Sequence, residues 1–302
     1  MDGKIFQILN VVRRDNEPLS VDTCSVKPLI KWAGGKRQIA AELFSRFPSD
    51  WNHGTYIEPF IGGAAMFLHA APKTAVIADL NSRLYGFYIQ VKANPEKLAS
   101  DVAEVADEFN ALPEGDKKDF YLILRTRYNE STVDSFESAT LLYVLNKLCF
   151  NGLYRENSKG GFNVPFGQKK QLPYIDVVEL NLVSKVLAKT LILNADFEFT
   201  IAKAVPGDFV YLDPPYIPVD ATSSFTSYHS NGFGLSEQER LASAMLHMKS
   251  AGIRAMCSNS DTAITRDIFK ELNIDAIQAP RMVSAKASGR GTISELVITN
   301  YK

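Results

Sequence analysis

The chain has 302 residues, 46% of them hydrophobic and 22% charged, which suits a globular protein with one large α/β domain and room for an insertion. A formal net charge of −1 excludes a global basic field, so any polyanionic partner must be met by a local patch. The three cysteines, Cys24, Cys149 and Cys257, lack metal-ligand spacing, and neither an apolar run of about 18 residues nor an ordered signal peptide occurs; free thiols, no metal, no membrane contact and a cytoplasmic location are expected.

Residues 1–27 form an extension whose one apolar stretch, Ile5 to Val12, suggests no function. From Pro28 the text changes. Lys31-Trp32-Ala33-Gly34-Gly35-Lys36 leads into a helical pattern with Ile39, Leu43 and Phe47 at intervals of four, stopped at Pro48. Thr55-Tyr56-Ile57 reads as a short strand, followed by a Phe60-x-Gly62-Gly63 turn and an apolar helix to Ala71. Thr74 to Ala78 is a second strand, and it ends in Asp79. This order of strand, glycine turn, helix, strand and acid is that of a nucleotide-binding βαβ unit, in which the acid accepts hydrogen bonds from ribose hydroxyls. The turn reads GGAAMF from Gly62, so the dinucleotide pattern GxGxxG is absent and a pyrophosphate cradle is unsupported. S-adenosylmethionine, a nucleoside without phosphate, fits better, and Lys36 at a helix start suits its carboxylate.

Between about Pro95 and Asp176 strands disappear. Leu98 to Leu112 and Lys117 to Tyr128 are amphipathic, and Asp134 with Glu137 makes a capping-box pattern for a helix toward Leu148. The next segment, Cys149 to Lys170, mixes aromatic, amide, basic and glycine residues without period, as a recognition surface does. There Arg155 could clamp guanine O6 and N7, and Phe150 could fill the gap left by an extruded base. Strand and helix then alternate again. Leu191 to Leu193 leads to Asp196 and Phe197, further cofactor-binding candidates; Ser236 with Glu239 caps a helix to Gly252; Ile253 to Cys257 is a strand; Asp261 precedes a helix to Leu272; Ile274 to Gln278 is a strand, and Ile293 to Thr299 closes the chain as an antiparallel edge. Ser223, Ser224, Thr226, Ser227, Tyr228 and His229 form a polar loop, and Arg281, Lys286 and Arg290 flank Ser284 and Ser288; both groups suit phosphate contacts.

The most informative feature is Asp213-Pro214-Pro215-Tyr216 after the apolar run Phe209-Val210-Tyr211-Leu212. Two prolines without N–H groups end strand pairing, so a carboxylate lands at the carboxyl end of a strand, where open α/β sheets bind ligands. An exocyclic amine offers two protons, one for Asp213 and one for the Pro214 carbonyl, while Tyr216 stacks on the base. Holding both protons favours a more tetrahedral, more nucleophilic nitrogen, ready to attack an activated methyl group. The turn alone does not choose among DNA adenine, cytosine N4 and RNA adenine, nor does it exclude a DNA-binding regulator that keeps S-adenosylmethionine without turnover.

Taken together, KWAGGK at 31–36, EPFIGG at 58–63, ADLN at 78–81, NKLCFNGLYREN at 146–157, FNVPFG at 162–167, DPPY at 213–216 and the FTSYH and SNSDT segments resemble the Dam-type DNA adenine-N6 methyltransferases, of the D12 class and alpha group. The resemblance runs from about Pro28 to Tyr301. It implies a Rossmann-like, mostly parallel sheet formed by 28–92 and 177–302, with 93–176 as an inserted helical target-recognition domain. It further implies that Trp32, Lys36, Asp79 and Asp213 contact S-adenosylmethionine and that Asp213 and Tyr216 hold a flipped adenine. Phe150, Asn151, Leu153, Arg155 and Pro165 fall on the family's DNA-reading loop, which implies double-stranded DNA as partner and GATC as the expected target. A monomer is expected, and a cognate restriction endonuclease is a possible partner. Two positions depart from the family: its third motif glycine is Ala64 here, expected to crowd the turn, and its intercalating tyrosine is Phe150.

Overall fold

The structure, a computed structural model, describes residues 26–216, 233–280 and 292–302. The extension to residue 25, the polar loop from Ser223 to His229 and the group Arg281, Lys286 and Arg290 lie outside the described residues.

A seven-stranded sheet runs β3-β2-β1-β4-β5-β7-β6, with β1 (Tyr56–Glu58), β2 (Ala75–Asp79), β3 (Thr190–Asn194), β4 (Phe209–Leu212), β5 (Arg254–Ser260), β6 (Asn273–Pro280) and β7 (Thr292–Thr299). The pairs from β3 across to β5 are parallel, and β7 is antiparallel to both its neighbours. The α/β class and mostly parallel sheet are as expected. One expectation fails: the last strand is no edge, because β7 inserts between β5 and β6, and β6 takes the edge. β7 thereby satisfies backbone groups on both sides, which an edge strand cannot do.

The central strands read as continuous apolar runs because helices cover both faces. Alternate residues sort cleanly. Ile57, Val76, Val210, Leu212, Ala255, Cys257, Leu296 and Ile298 face one way, packing with Phe197, Leu241, Met245, Met248 and Phe269. Tyr56, Ala75, Ile77, Phe209, Tyr211, Met256 and Val297 face the other, under the larger cluster. Burying each such side chain contributes about 1.5–3 kcal/mol, so a one-residue register slip would forfeit a whole face.

The helices begin with α1 (Ala40–Phe44), α2 (Ala65–Ala70) and α3 (Ser82–Ala93). The insertion supplies α4 (Pro95–Ala111), α5 (Lys117–Glu130) and α6 (Phe136–Leu148), near the expected positions. Its apolar stripes, among them Val102, Phe109, Tyr121, Leu124 and Leu145, join one core with Tyr56 and Ile77 of the sheet. Insertion and sheet therefore share a hydrophobic interior. After it come α7 (Val177–Ala188), α8 (Phe197–Ile201), α9 (Leu235–Ser250) and α10 (Ala263–Ile268).

Two caps differ from expectation. Ser135, not Asp134, starts α6 by accepting from the Ser138 N–H at 3.1 Å, and Glu137 instead pairs with Arg127 at 2.9 Å. At α9 the cap is Gly234, whose N–H donates to Glu237 at 2.8 Å, while Ser236 leans on the same carboxylate. In both places several residues could start the helix, and the one whose backbone turns extended takes the cap.

Candidate functional site

The sheet order places β1 between β2 and β4, so the connections after β1 and β4 diverge and open a crevice at the strands' carboxyl ends. There lies a cleft of about 670 Å³. Trp32, Lys36, Phe60, Gly62, Asp79, Phe197, Asp213, Pro214 and Tyr216 all line it, so most of the expected cofactor and catalytic residues converge. Asp196 does not. It caps α8 by accepting from the Glu198 N–H at 2.9 Å and pairs with Arg240 at 3.3 Å, which leaves Ala195 and Phe197 as its neighbours on the cleft wall.

One half of the cleft joins a strand-end acid to a glycine turn. Asp79 ends β2 and receives the N–H of Gly62 at 3.1 Å and of Asn81 at 2.9 Å, tying the glycine turn to the strand end. Burial pushes its carboxyl up, against the pull of these backbone donors. Gly62 has φ +45°, and a β-carbon there would lie 2.8 Å from the Trp32 indole. The indole thus occupies the space that the missing side chain leaves. Ala64 adopts φ +61°, a left-handed conformation that costs an alanine about 1–2 kcal/mol, and it is fully buried. Ala64, where the resemblance leads one to expect a glycine, therefore carries strain in the turn. Beyond Asp79, Phe60 stacks on Phe197 at 5.6 Å and meets Phe233 edge-on at 5.5 Å, an apolar wall suited to a flat base. Phe233 lies beyond the DPPY turn in sequence, and no pattern around it distinguishes it.

The other half concentrates charge. Lys36 is buried, and its ammonium contacts Asp213 at 2.8 Å, the Gly34 carbonyl at 2.5 Å and Glu295 at 3.8 Å. The lysine expected to face a cofactor carboxylate thus faces the strand-end aspartate. Burial pushes the Asp213 carboxyl up, and Lys36 and then the Tyr216 hydroxyl oppose that. Tyr216 donates to Glu295 at 2.8 Å, and the Lys36 ammonium sits 4.6 Å from the Tyr216 ring centre. Glu58, at the end of β1, accepts from Tyr56 at 2.6 Å, and burial drives its carboxyl well above the ordinary range. Gln238 donates to the Pro215 carbonyl at 2.8 Å and is itself held by Asn259 at 3.0 Å, which fixes the turn that carries Asp213. Neither Glu58 nor Glu295 stands out in the sequence; the available signal is an acid at the end of β1 and an acid among the residues of β7.

Beside the cleft, residues 149–167 fold back on themselves through bridges Cys149 to Phe166 and Glu156 to Phe162. Phe150 is 52% exposed although its N–H is pinned to the Pro165 carbonyl at 2.9 Å. Asn151 and Gly152 turn left-handed at φ 57° and 67°, and Asn151, Arg155 and Pro165 are exposed while Leu153 is half-buried. Arg155 donates through Nε to Asn163 Oδ1 at 2.7 Å, so its guanidinium is aimed before any partner arrives. The five expected reading residues therefore share one rigid loop.

Two contacts join this loop to the cleft. Tyr154 stacks on Trp32 at 4.9 Å, and Asn146 bonds both the N–H and the carbonyl of Lys31, at 2.8 and 2.9 Å, as well as the Gly152 carbonyl at 3.2 Å. The glycine loop and the 149–167 loop are one hydrogen-bonded unit.

Residues 32–283 match the D12 class N6 adenine-specific DNA methyltransferase family. The chain belongs to this family. It is 39% identical to the type II methyltransferase M1.LlaDCHI of Lactococcus lactis subsp. cremoris, with 94% of this chain and 98% of that protein covered. It is 38% identical to the type II methyltransferase M.MjaIII of Methanocaldococcus jannaschii, covering 91% and 99%, and 35% identical to the DNA adenine methylase of Vibrio cholerae, covering 90% and 95%. The protein is thus an adenine-N6 DNA methyltransferase, and of the bases the DPPY turn left open, adenine in DNA is the one selected. Membership implies S-adenosylmethionine as methyl donor and DNA as substrate. The cleft fits that donor: an acid for ribose hydroxyls, an aromatic wall, and no crowding side chain at Gly62. No helix among the described residues is long and apolar enough to cross a membrane.

Proposed function

We propose that this adenine-N6 methyltransferase acts on double-stranded DNA at GATC, by extruding the adenine into the cleft beside Asp213. The observation that carries this is the Lys36–Asp213 pair at the end of β4, in the same cleft as the Asp79 turn and next to a rigid exposed loop. Trp32, Phe60, Gly62, Asp79 and Phe197 hold the S-adenosylmethionine, which when bound supplies a methyl group on a sulfonium leaving group. Lys36 occupies one Asp213 oxygen and leaves the other to accept one N6 proton. The Pro214 carbonyl accepts the second proton, and the Tyr216 ring packs on the purine. The N6 lone pair is thereby drawn out of the ring's conjugation, and reaction follows from position and fixed charge rather than from a covalent enzyme intermediate.

On the reading side, Arg155 contacts a guanine edge, Leu153 and Pro165 pack on neighbouring bases, Asn151 hydrogen-bonds, and Phe150 fills the stack vacated by the adenine. Both halves of the site come from one chain, which supports action as a cytoplasmic monomer. The type II names of two relatives support a setting beside a cognate restriction endonuclease. Incubation with labelled S-adenosylmethionine and duplexes differing only within GATC tests this at a fixed salt concentration. Label on the adenine of GATC alone is expected; equal labelling of the altered duplexes would refute the target, and label on cytosine would refute the chemistry.

A further inference from the structure

An antiparallel strand among parallel neighbours puts its beginning where theirs end. β7 does this: Glu295, early in the strand, lies opposite Ser260, the last residue of β5. Side-chain alternation then turns Glu295 to the face that carries Val297, Met256 and Tyr211, and hence to the side of the sheet on which Asp213 emerges. Glu295 is 5% exposed and lies behind the cleft wall. Its Oε1 accepts the Tyr216 hydroxyl at 2.8 Å and stands 3.8 Å from the Lys36 ammonium.

We propose that Glu295 is a positioning residue for methyl transfer: it fixes the Tyr216 ring over the adenine site and shares Lys36 with Asp213. The inference rests on the role proposed for Asp213. A buried carboxylate is retained at such a place only against a desolvation cost, which its two partners offset. Tyr216 would otherwise rotate freely about its side-chain bonds at the end of a proline turn, and the stacking surface for the base would lose its orientation. Lys36 would otherwise settle wholly on Asp213. With Glu295 behind it, the ammonium is drawn back, and Asp213 keeps acceptor capacity for the N6 proton.

The charge has a consequence of known sign. Asp213 is faced by Lys36 from the glycine loop, by Glu58 and Tyr56 from β1, and by Tyr211 from β4. Cys257 of β5 lies nearby, as do Tyr216 and Glu295. Burial pushes the Asp213 carboxyl up against the pull of Lys36, and burial, with the Asp213 charge adding to it, pushes the Glu295 carboxyl up as well. Glu295→Gln keeps an acceptor for the Tyr216 hydroxyl but leaves the Lys36 ammonium to Asp213 alone, which favours the Asp213 carboxylate and lets it ionise at lower pH.

The test measures the single-turnover rate of labelled methyl transfer against pH, together with dissociation constants for S-adenosylmethionine and duplex DNA. Glu295→Ala is expected to slow transfer on the order of tenfold with both affinities within about twofold of wild type. Glu295→Gln, which restores the acceptor for Tyr216 but not the hold on Lys36, is expected to recover part of the neutral-pH rate and to shift the acid limb to lower pH. Adding Tyr216→Phe to Glu295→Ala should cost little more, since the shared bond is already gone. An acid limb unmoved in Glu295→Gln, in an enzyme whose wild type transfers to adenine N6, would overturn the proposal. A wild type that labels no adenine would instead bring down the assignment of Asp213 on which it rests.

Discussion

The cleft and the loop beside it differ in exposure but share one device, a backbone tied down by side chains. In the pocket the working groups are buried: Lys36 is 4% exposed and spends its donors on Asp213 and Gly34 before substrate arrives. On the loop the working groups stand in solvent, with Phe150 52% exposed, while its N–H and the Arg155 guanidinium are tied to Pro165 and Asn163. Fixed charge gains strength from exclusion of water, which suits the buried cleft to the proposed chemistry; base edges must be reached, which suits the exposed loop to the proposed reading. The Trp32–Tyr154 stack and Asn146 are the seam between the two.

That division can be broken from either side. Removing the carboxylate has the largest expected effect: Asp213→Ala should lower methyl transfer by about a thousandfold or more while DNA affinity stays within about twofold. Because Glu295 remains beside Lys36, the buried ammonium keeps a counter-charge, and a melting scan should find the variant folded. Gly62→Ala should act next. Its β-carbon collides with the indole at 2.8 Å and its φ is +45°, so titration calorimetry should find S-adenosylmethionine binding weakened by about tenfold or more, with DNA affinity little changed. On the loop, Arg155→Ala should cost about 1–3 kcal/mol of discrimination at a single base pair, seen as relaxed competition between GATC and variant duplexes. The smallest effect belongs to the seam. Tyr154→Leu should lose about 0.5–1.5 kcal/mol of stacking, and a change in cofactor and DNA affinity together, rather than in one alone, would sharpen the coupling between the regions.

Much of the pocket was legible because its residues follow local rules. Asp79 and Asp213 each close an apolar run, Gly62 sits where a turn must approach another group, and buried parallel strands read as apolar words. What was not legible depends on pairing far along the chain. Nothing in Ile293 to Thr299 says that it inserts between β5 and β6, and without that placement Glu295 reads as one acid on a terminal strand. The pairing of Lys36 with Asp213 is illegible for the same reason: the two lie 177 positions apart, and only the fold brings them to 2.8 Å. Ser135 and Gly234 outcompete equally plausible caps because backbone geometry, set by tertiary packing, decides among them.

The division of labour is tested most directly by single-turnover transfer of a labelled methyl group at saturating GATC duplex, with wild type and Asp213→Ala side by side and DNA binding measured on the same samples. Wild type should label adenine N6 and the variant should bind the duplex equally well and leave it unlabelled. Transfer by the variant at a rate near wild type, or loss of DNA binding in step with loss of transfer, would contradict the assignment of chemistry to Asp213 and of reading to the loop.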